Sequence, residues 1–318
     1  MQSSKDYLLG IAGIIIASIV WGTTGTAATF APEVSAAAIG AAAMGIGGLL
    51  QALLAFKGIS ASRHALRTHW RCLALGAVAV AIYPLAFYAS MRMAGVTIGT
   101  VISIGSAPLL SALIEYKLDG FRLSARWIVG ALTGILGMIL LSLAESGTAH
   151  ASATNNSAMI GILLGLVAGF TYALYSWCAR RVMQSGISST VAMGAIFGLG
   201  GLLLMPVLAV TGGAFLASWN NAAVGIYMAI IPMFIGYVCF GYGLSRVQAS
   251  TATTITLFEP VVAAFLAVII VGERLPLLGW LGVVLVVACL VIITLPQKTR
   301  RPANNAIFRG NMPQRTKS

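Results

Sequence analysis

Apolar positions in this chain fall in long blocks separated by short polar breaks. Ten blocks lie at roughly 8–31, 34–56, 72–92, 95–116, 127–144, 158–179, 187–210, 223–245, 249–271 and 276–295. A helix needs about 20 mostly apolar residues to cross a ~30 Å hydrocarbon core, and the blocks match that length. Each is predicted to be helical, because backbone N–H and C=O groups find no water in hydrocarbon. The short alternating segments of a membrane β-barrel are absent. The first block, about 24 residues long, exceeds the ~7–15 of a signal-peptide core and is expected to be a retained helix.

Composition narrows the class. Of 318 residues, 59% are hydrophobic and 8% charged, with a mean hydropathy of +0.95. An ordinary soluble domain carries about 25% charge, so a soluble enzyme is excluded, and so is disorder. The fold class expected is an all-α membrane protein.

The charges are placed unevenly. Six of the 19 Lys and Arg lie in the tail from Lys298 to Lys317, and eight more charges fall in Lys57–Arg71 and Lys117–Arg126. With both termini cytoplasmic, the inner loops and tails hold 17 of the 19 basic residues: Lys5, Lys57, Arg63, Arg67, Arg71, Lys117, Arg122, Arg126, Arg180, Arg181, Arg246 and the six of the tail. Only Arg92 and Arg274 fall outside, which is a positive-inside pattern for ten spans in an inner membrane. The net charge of +12 then reads as a topology signal facing an anionic leaflet, with no nucleic-acid partner. The expected division is a 1–7 cytoplasmic start, repeats at 8–145 and 158–295 joined by an external linker 146–157, and a basic cytoplasmic tail 296–318. Cys72, Cys178, Cys239 and Cys289 lack CxxC spacing, so neither disulfides nor a metal site is expected.

The chain also repeats itself. Residues 84–143 align with 236–295 at an offset of 152, so Pro108 meets Pro260, Gly120 meets Gly272, Arg122-Leu123 meets Arg274-Leu275 and Gly130 meets Gly282. Val20-Trp21-Gly22 falls opposite Thr171-Tyr172-Ala173 at 151. Five spans per half is an odd number, so the second half is expected to enter from the opposite side. Such inverted repeats are a common plan of secondary transporters, with the substrate site near the midplane.

Two stretches resemble a known family. One is Ala17-Ser-Ile-Val-Trp21-Gly22, echoed by Thr171-Tyr-Ala-Leu-Tyr175 through Arg180-Arg181. The other is Leu257-Phe-Glu259-Pro260-Val-Val-Ala-Ala running on to Val271-Gly272-Glu273-Arg274-Leu275. These are similar to the ten-helix EamA family of the drug/metabolite transporter superfamily, over about residues 8–296. The resemblance implies a secondary carrier, and most resembles the bacterial amino-acid exporter branch, which includes exporters of aromatic amino acids. The first half departs from the motif, with Ala107 and Phe121 where the second has Glu259 and Glu273. A carboxylate role would therefore be asymmetric.

Two carboxylates lie within the span limits. Glu115, close in sequence to Lys117, Arg122 and Arg126, is expected to snorkel to the interface in an ion pair. Glu259 is about ten residues from either end of the ninth span. An ionised carboxylate there must face a partner, a cavity or water, and a protonated packing group bonded to a neighbouring span is the alternative. Thr256 sits one turn back, and Pro260 frees its carbonyl, making an acceptor-rich patch suited to an ammonium group or a proton.

Trp21, Tyr83, Ser106, Thr171, Tyr172 and Tyr237 fall near the same depth. Trp and Tyr usually prefer the interfaces, so midplane aromatics suggest a lined cavity, with core packing as the alternative for each alone. The candidate substrate-binding set is these six with Thr256 and Glu259. Mid-span prolines Pro84, Pro108, Pro206, Pro232 and Pro260 mark candidate helix breaks or hinges. The glycine pairs and stripes Gly161/Gly165/Gly169, Gly130/Gly134 and Gly194/Gly198 read as close helix packing. Trp219 and Trp280, near span ends, read as interfacial anchors.

No span holds an Asp or a His, so an intramembrane hydrolase is not expected. Neither a zinc-site nor a phosphate-loop motif appears, and no cofactor is expected. The span interiors hold no Lys or Arg, which argues against phosphorylated substrates. The expected partner is a small neutral or zwitterionic metabolite with an apolar portion, with proton coupling and oligomeric state left open. A hydrophobic cation held by aromatics and Glu259 is the alternative among carriers. A channel or structural protein is the alternative outside them.

Overall fold

The computed structural model describes residues 4–145, 155–271 and 275–295. Among the described residues, ten helices are long and apolar enough to cross a membrane. They are α1 Lys5–Thr29, α2 Ala36–Ala61, α3 Trp70–Ala94, α4 Ile98–Asp119, α5 Ala125–Ala144, α6 Ser157–Gln184, α7 Ser189–Leu216, α8 Trp219–Leu244, α9 Ala249–Ile270 and α10 Leu277–Thr294. A short helix, Arg63–Thr68, bridges α2 and α3. The linker around 146–154, the repeat matches at Gly272 and Arg274, Glu273 and the basic tail lie outside the described residues.

Local chemistry sets the ends. Ser35, Ser188 and Ser218 each accept a hydrogen bond from a backbone N–H three residues on, at 3.1–3.4 Å, starting α2, α7 and α8. At the other end of α4, Gly120 takes a left-handed φ of 65°, which a side chain would resist. α6 runs five residues past its expected end, so Arg180 and Arg181 belong to its last turns rather than to a loop.

The interior is built by small residues that bring backbones together. On α2 and α7, a Cβ at Gly201 would lie 2.6 Å from the Gly45 carbonyl oxygen, and one at Gly48 would run into the Phe197 carbonyl. On α5 and α10, Gly130 faces Ile293, Gly134 faces Cys289 and Gly137 faces Gly282. Gly161 and Gly165 on α6 face Ala94 and Ser90 on α3, while Gly169 faces Ser106 on α4. In lipid, where apolar burial does not drive association, such close van der Waals contact is the main cohesive term. Large apolar side chains such as Leu53, Leu54, Phe56 and Val284 point outward, as a lipid-facing surface requires.

These contacts also give the relative directions of the helices. Partner numbers rise on one helix as they fall on the other, so α5 runs antiparallel to α10 and α2 to α7. Exchanging the first five helices with the second five maps α3–α6 onto α8–α1, where Gly10 faces Arg246 as Gly161 faces Ala94. It maps α4–α6, with Ser106 on Gly169, onto α9–α1, with Val262 on Gly22. Each half contributes five spanning helices, α1–α5 and α6–α10, and each of these seams joins a helix of one half to a helix of the other or closes within a half.

Candidate substrate cavity

α1, α8 and α9 each lose α-geometry part-way along. α1 breaks at Thr23, whose hydroxyl donates to the Val20 carbonyl at 2.6 Å. α8 is π-helical over Ala229–Gly236, around Pro232. α9 tightens to a 3-10 turn over Thr256–Phe258, immediately before Glu259-Pro260. A broken helix leaves carbonyls without their usual donors, and hydrocarbon supplies none. Here side chains supply them: the Trp21 indole N–H donates to the Pro232 carbonyl at 2.9 Å, and the Gln51 amide donates to the Met233 carbonyl at 3.3 Å. Helix type does not change at Pro84, Pro108 or Pro206, where α3, α4 and α7 continue as α-helix.

The breaks surround a cavity of about 40 Å³, lined among others by Trp21, Tyr83, Tyr88, Tyr172, Tyr237 and Glu259. That volume holds a few waters, so a metabolite enters only if the lining side chains move apart. Thr24, Gly40 and Tyr88, also in the lining, lie within two turns of the α1, α2 and α3 ends at the face opposite Lys5 and Thr294. The cavity thus extends from the midplane, where Tyr83, Tyr172 and Glu259 lie, into this distal half. Towards the terminal face, which carries Lys5 and Thr294, the bundle is closed. The Tyr175 and Tyr237 hydroxyls meet at 2.8 Å, with Phe197 and Phe240 fully buried beside them.

Hydrogen bonding sorts the lining groups. Thr256 donates to the Thr253 carbonyl at 2.8 Å, so at their 2.9 Å contact the Tyr172 hydroxyl donates to Thr256. Trp21, Tyr172 and Tyr237 have therefore committed their polar atoms and offer ring faces. Trp21 and Tyr237 lie 4.7 Å apart by ring centroids, and Tyr83 and Tyr172 5.6 Å. Tyr83, Tyr88 and Glu259 differ, since among the described residues no group hydrogen-bonds to the two hydroxyls or to the carboxylate. Among the described residues, no Lys, Arg or His lines the cavity. The lining is an aromatic cage with one carboxylate and two free hydroxyls.

Of the residues singled out from the sequence, Trp21, Tyr83, Tyr172, Tyr237 and Glu259 meet here, with Pro84 in the wall and Thr256 behind Tyr172. Ser106 and Thr171 do not reach it. The Ser106 hydroxyl faces Gly169 in the α4–α6 seam, and the Thr171 hydroxyl bonds back to Val167 and Ala168 at 2.9 and 3.0 Å. Sequence reasoning did not select Thr24, Met44, Phe87, Tyr88, Tyr175 or Met233. Helical spacing carried a signal for three of them: Thr24 is three residues from Trp21, Phe87 four from Tyr83 and Tyr175 three from Tyr172.

Glu115 corrects the reading of an interfacial ion pair. It is 3% exposed and accepts from the Ala249 N–H at 2.8 Å, the Ser250 N–H at 3.3 Å and the Ser250 hydroxyl at 2.5 Å. A carboxylate at a helix N-terminus meets both unpaired N–H groups and the favourable end of the dipole. α9 draws its own N-terminal cap from α4. Nearby, Arg180 donates to the Leu244 and Val247 carbonyls at the end of α8, and Arg126 to the Ile292, Ile293 and Leu295 carbonyls at the end of α10. Asp119 accepts from Trp177 at 2.8 Å and pairs with Arg181 at 3.0 Å, tying α4 to α6.

Comparison with known proteins now decides the class. The EamA-like transporter family matches residues 8–143 and again 159–295. The chain belongs to this family. It is 30% identical over 294 residues to the uncharacterized transporter YwfM of Bacillus subtilis, covering 92% of this chain and 96% of that one. It is 28% identical over 201 residues to the threonine/homoserine exporter RhtA of Escherichia coli K12, covering 60% and 64%. It is 26% identical over 191 residues to a probable terminal-alkyne amino-acid exporter of Streptantibioticus cattleyicolor, covering 60% and 61%. A crystal structure of a protein at 19% identity superposes with a TM-score of 0.71, over 92% of this chain and 98% of that one, and shows the same fold. EamA-like proteins are transporters, not enzymes, and this one is a multi-pass membrane transporter of small molecules.

Proposed function

We propose that this EamA-like transporter is a secondary carrier that exports small zwitterionic or neutral metabolites, foremost amino acids with an apolar side chain. The observation that carries the reading is the cavity: among the described residues it holds one carboxylate without a partner, two free tyrosine hydroxyls and aromatic ring faces, and no cation. Glu259 takes the ammonium group, Tyr83 and Tyr88 bond the polar head, and the Trp21, Tyr172 and Tyr237 faces pack the side chain. Similarity to two amino-acid exporters supports the substrate class.

The concentration of basic residues at the terminal face supports a cytoplasmic terminal face in a bacterial inner membrane, with both termini inside. On that orientation the described conformation is closed inward, with its cavity reaching from the midplane into the outer half. Opposed repeats supply the two related packings that alternating access needs.

The test is efflux of Phe, Met and Thr from loaded proteoliposomes, with counter-transport as the mark of a carrier. Saturable efflux that unlabelled substrate on the far side accelerates supports the proposal; non-saturating flux sinks it. An unbalanced carboxylate in an aromatic cage also favours a second reading, a carrier of hydrophobic cations. Efflux of tetraphenylphosphonium in place of amino acids would establish it. Flux with and without a pH gradient separates proton antiport through Glu259 from facilitated diffusion.

A further inference from the structure

A second pocket, of about 440 Å³, lies at the terminal face between the α6–α7 connection and the end of α8. It is separated from the transport cavity by the buried Tyr175–Tyr237 layer. Arg180 and Arg246 both line it, with Gln184, Ser188, Ser189 and Tyr242. Among the described residues, no carboxylate does.

The two guanidinium groups are fixed but not used up. Arg180 spends Nη1 on the Leu244 and Val247 carbonyls. Arg246 spends Nη1 on the Tyr242 carbonyl and the Ser245 hydroxyl, both at 2.9 Å, while its guanidinium carbon lies 3.5 Å from the centre of the Tyr242 ring. Among the described residues, Nε and Nη2 of both arginines make no hydrogen bond. Ser188 uses its oxygen as an acceptor for the Val191 N–H, so its own O–H remains to donate. Glu115 and Asp119 act on Arg180 electrostatically without lining the pocket, which presents forked donors and hydroxyls. Forked arginine donors match phosphate oxygens, and fixing them beforehand lowers the ordering cost of binding.

We propose that this pocket is a binding site for a phosphate group, with Arg246 and Arg180 as its two principal ligands. The pocket has the volume of an ordinary small-ligand site. Its level, among the basic residues of the terminal face, is where a membrane presents phosphodiester headgroups. A headgroup and a free phosphate share the recognised chemistry, and a ligand there bridges α8 to the α6–α7 turn.

The test uses the full-length protein in neutral detergent, with bound species counted by native mass spectrometry. Dioleoyl phosphatidylglycerol, dioleoyl phosphatidylcholine and inorganic phosphate are titrated separately and in competition. The expected result is retention of phosphatidylglycerol over phosphatidylcholine, reduced roughly fivefold in Arg246→Gln. Arg67→Gln, which removes an exposed arginine elsewhere on that face, leaves it unchanged. Gln184→Glu, a surface change that keeps the fold, places a carboxylate in the wall and weakens retention as well. Displacement by inorganic phosphate, or binding of phosphate alone, identifies a site for the free anion; retention that phosphate cannot displace identifies the lipid. Equal retention of both lipids with no phosphate bound overturns the proposal. So does a preference that Arg246→Gln and Gln184→Glu leave intact.

Discussion

Tyr83 and Tyr172 face the same cavity 5.6 Å apart, yet removing their hydroxyls should have opposite consequences. Tyr172 donates to Thr256 inside the protein, and the Tyr83 hydroxyl has no hydrogen-bond partner among the described residues. Tyr172→Phe is expected to cost about 1 kcal/mol of stability. Tyr83→Phe should leave the unfolding midpoint unchanged and raise the half-saturating substrate concentration about threefold to tenfold. Chemical denaturation and transport kinetics on the two variants check this pair; a stability loss in Tyr83→Phe would show that its hydroxyl is structural. Glu259→Gln keeps shape and removes charge, so initial amino-acid efflux should fall at least about tenfold. Unchanged efflux removes the carboxylate from the mechanism. The sequence pointed to Glu259 because a charge at that depth is costly wherever it faces. It could not separate Tyr172 from Thr171, its chain neighbour, because the two point in different directions and only packing decides which meets the cavity.

At the scale of the helix, the ten spans were legible throughout, since hydrocarbon permits so few backbone arrangements. Their interruptions were less so. Proline marks the π-helical stretch of α8 and the tight turn of α9, but the break at Thr23 in α1 has none, and α3 and α4 pass through theirs. At each break a side-chain donor serves a freed carbonyl: Thr23 and Thr24 within α1, Thr256 within α9, and Trp21 and Gln51 from other helices for α8. Trp21→Phe keeps the ring face and deletes the N–H that serves Pro232, so it should destabilise by about 1–3 kcal/mol. Glycines supply a parallel test. A Cβ at Gly48 meets the Phe197 carbonyl, which cannot yield without moving α7, whereas one at Gly25 meets nothing within 4 Å. Gly48→Ala should therefore cost on the order of 1–3 kcal/mol and Gly25→Ala next to none, as read from thermal unfolding in detergent. Equal midpoints would mean that α2 and α7 do not pack backbone to backbone.

The two repeats are not equivalent at their ends, and this asymmetry bears on which conformation the whole molecule prefers. On the terminal side the α4–α9 contact is closed by Glu115 on the N-terminus of α9. At the repeat offset, the position of Glu115 is held in the second half by Ala267, and that of Ser250 in the first half by Ile98. A distal closure built by the same exchange of repeats would have no carboxylate and no hydroxyl to receive. Sequence proximity to Lys117, Arg122 and Arg126 concealed this, because the actual partners lie more than a hundred residues away and a helix N-terminus has no charge in the sequence. Opening the terminal side removes Glu115 from three donors, and hydrogen bonds to a charged group are worth about 1.5–3 kcal/mol each in a buried setting. Even one such bond's worth biases two states by more than tenfold. Glu115→Ala should therefore populate a terminal-open conformation that the unsubstituted protein visits rarely. Spin labels at the exposed positions Leu118 on α4 and Tyr242 on α8 read the change. One narrow distance distribution is expected with Glu115 present, and a second, longer component without it. A single unchanged distribution in Glu115→Ala, from protein whose unfolding remains cooperative, would place the bias elsewhere in the bundle.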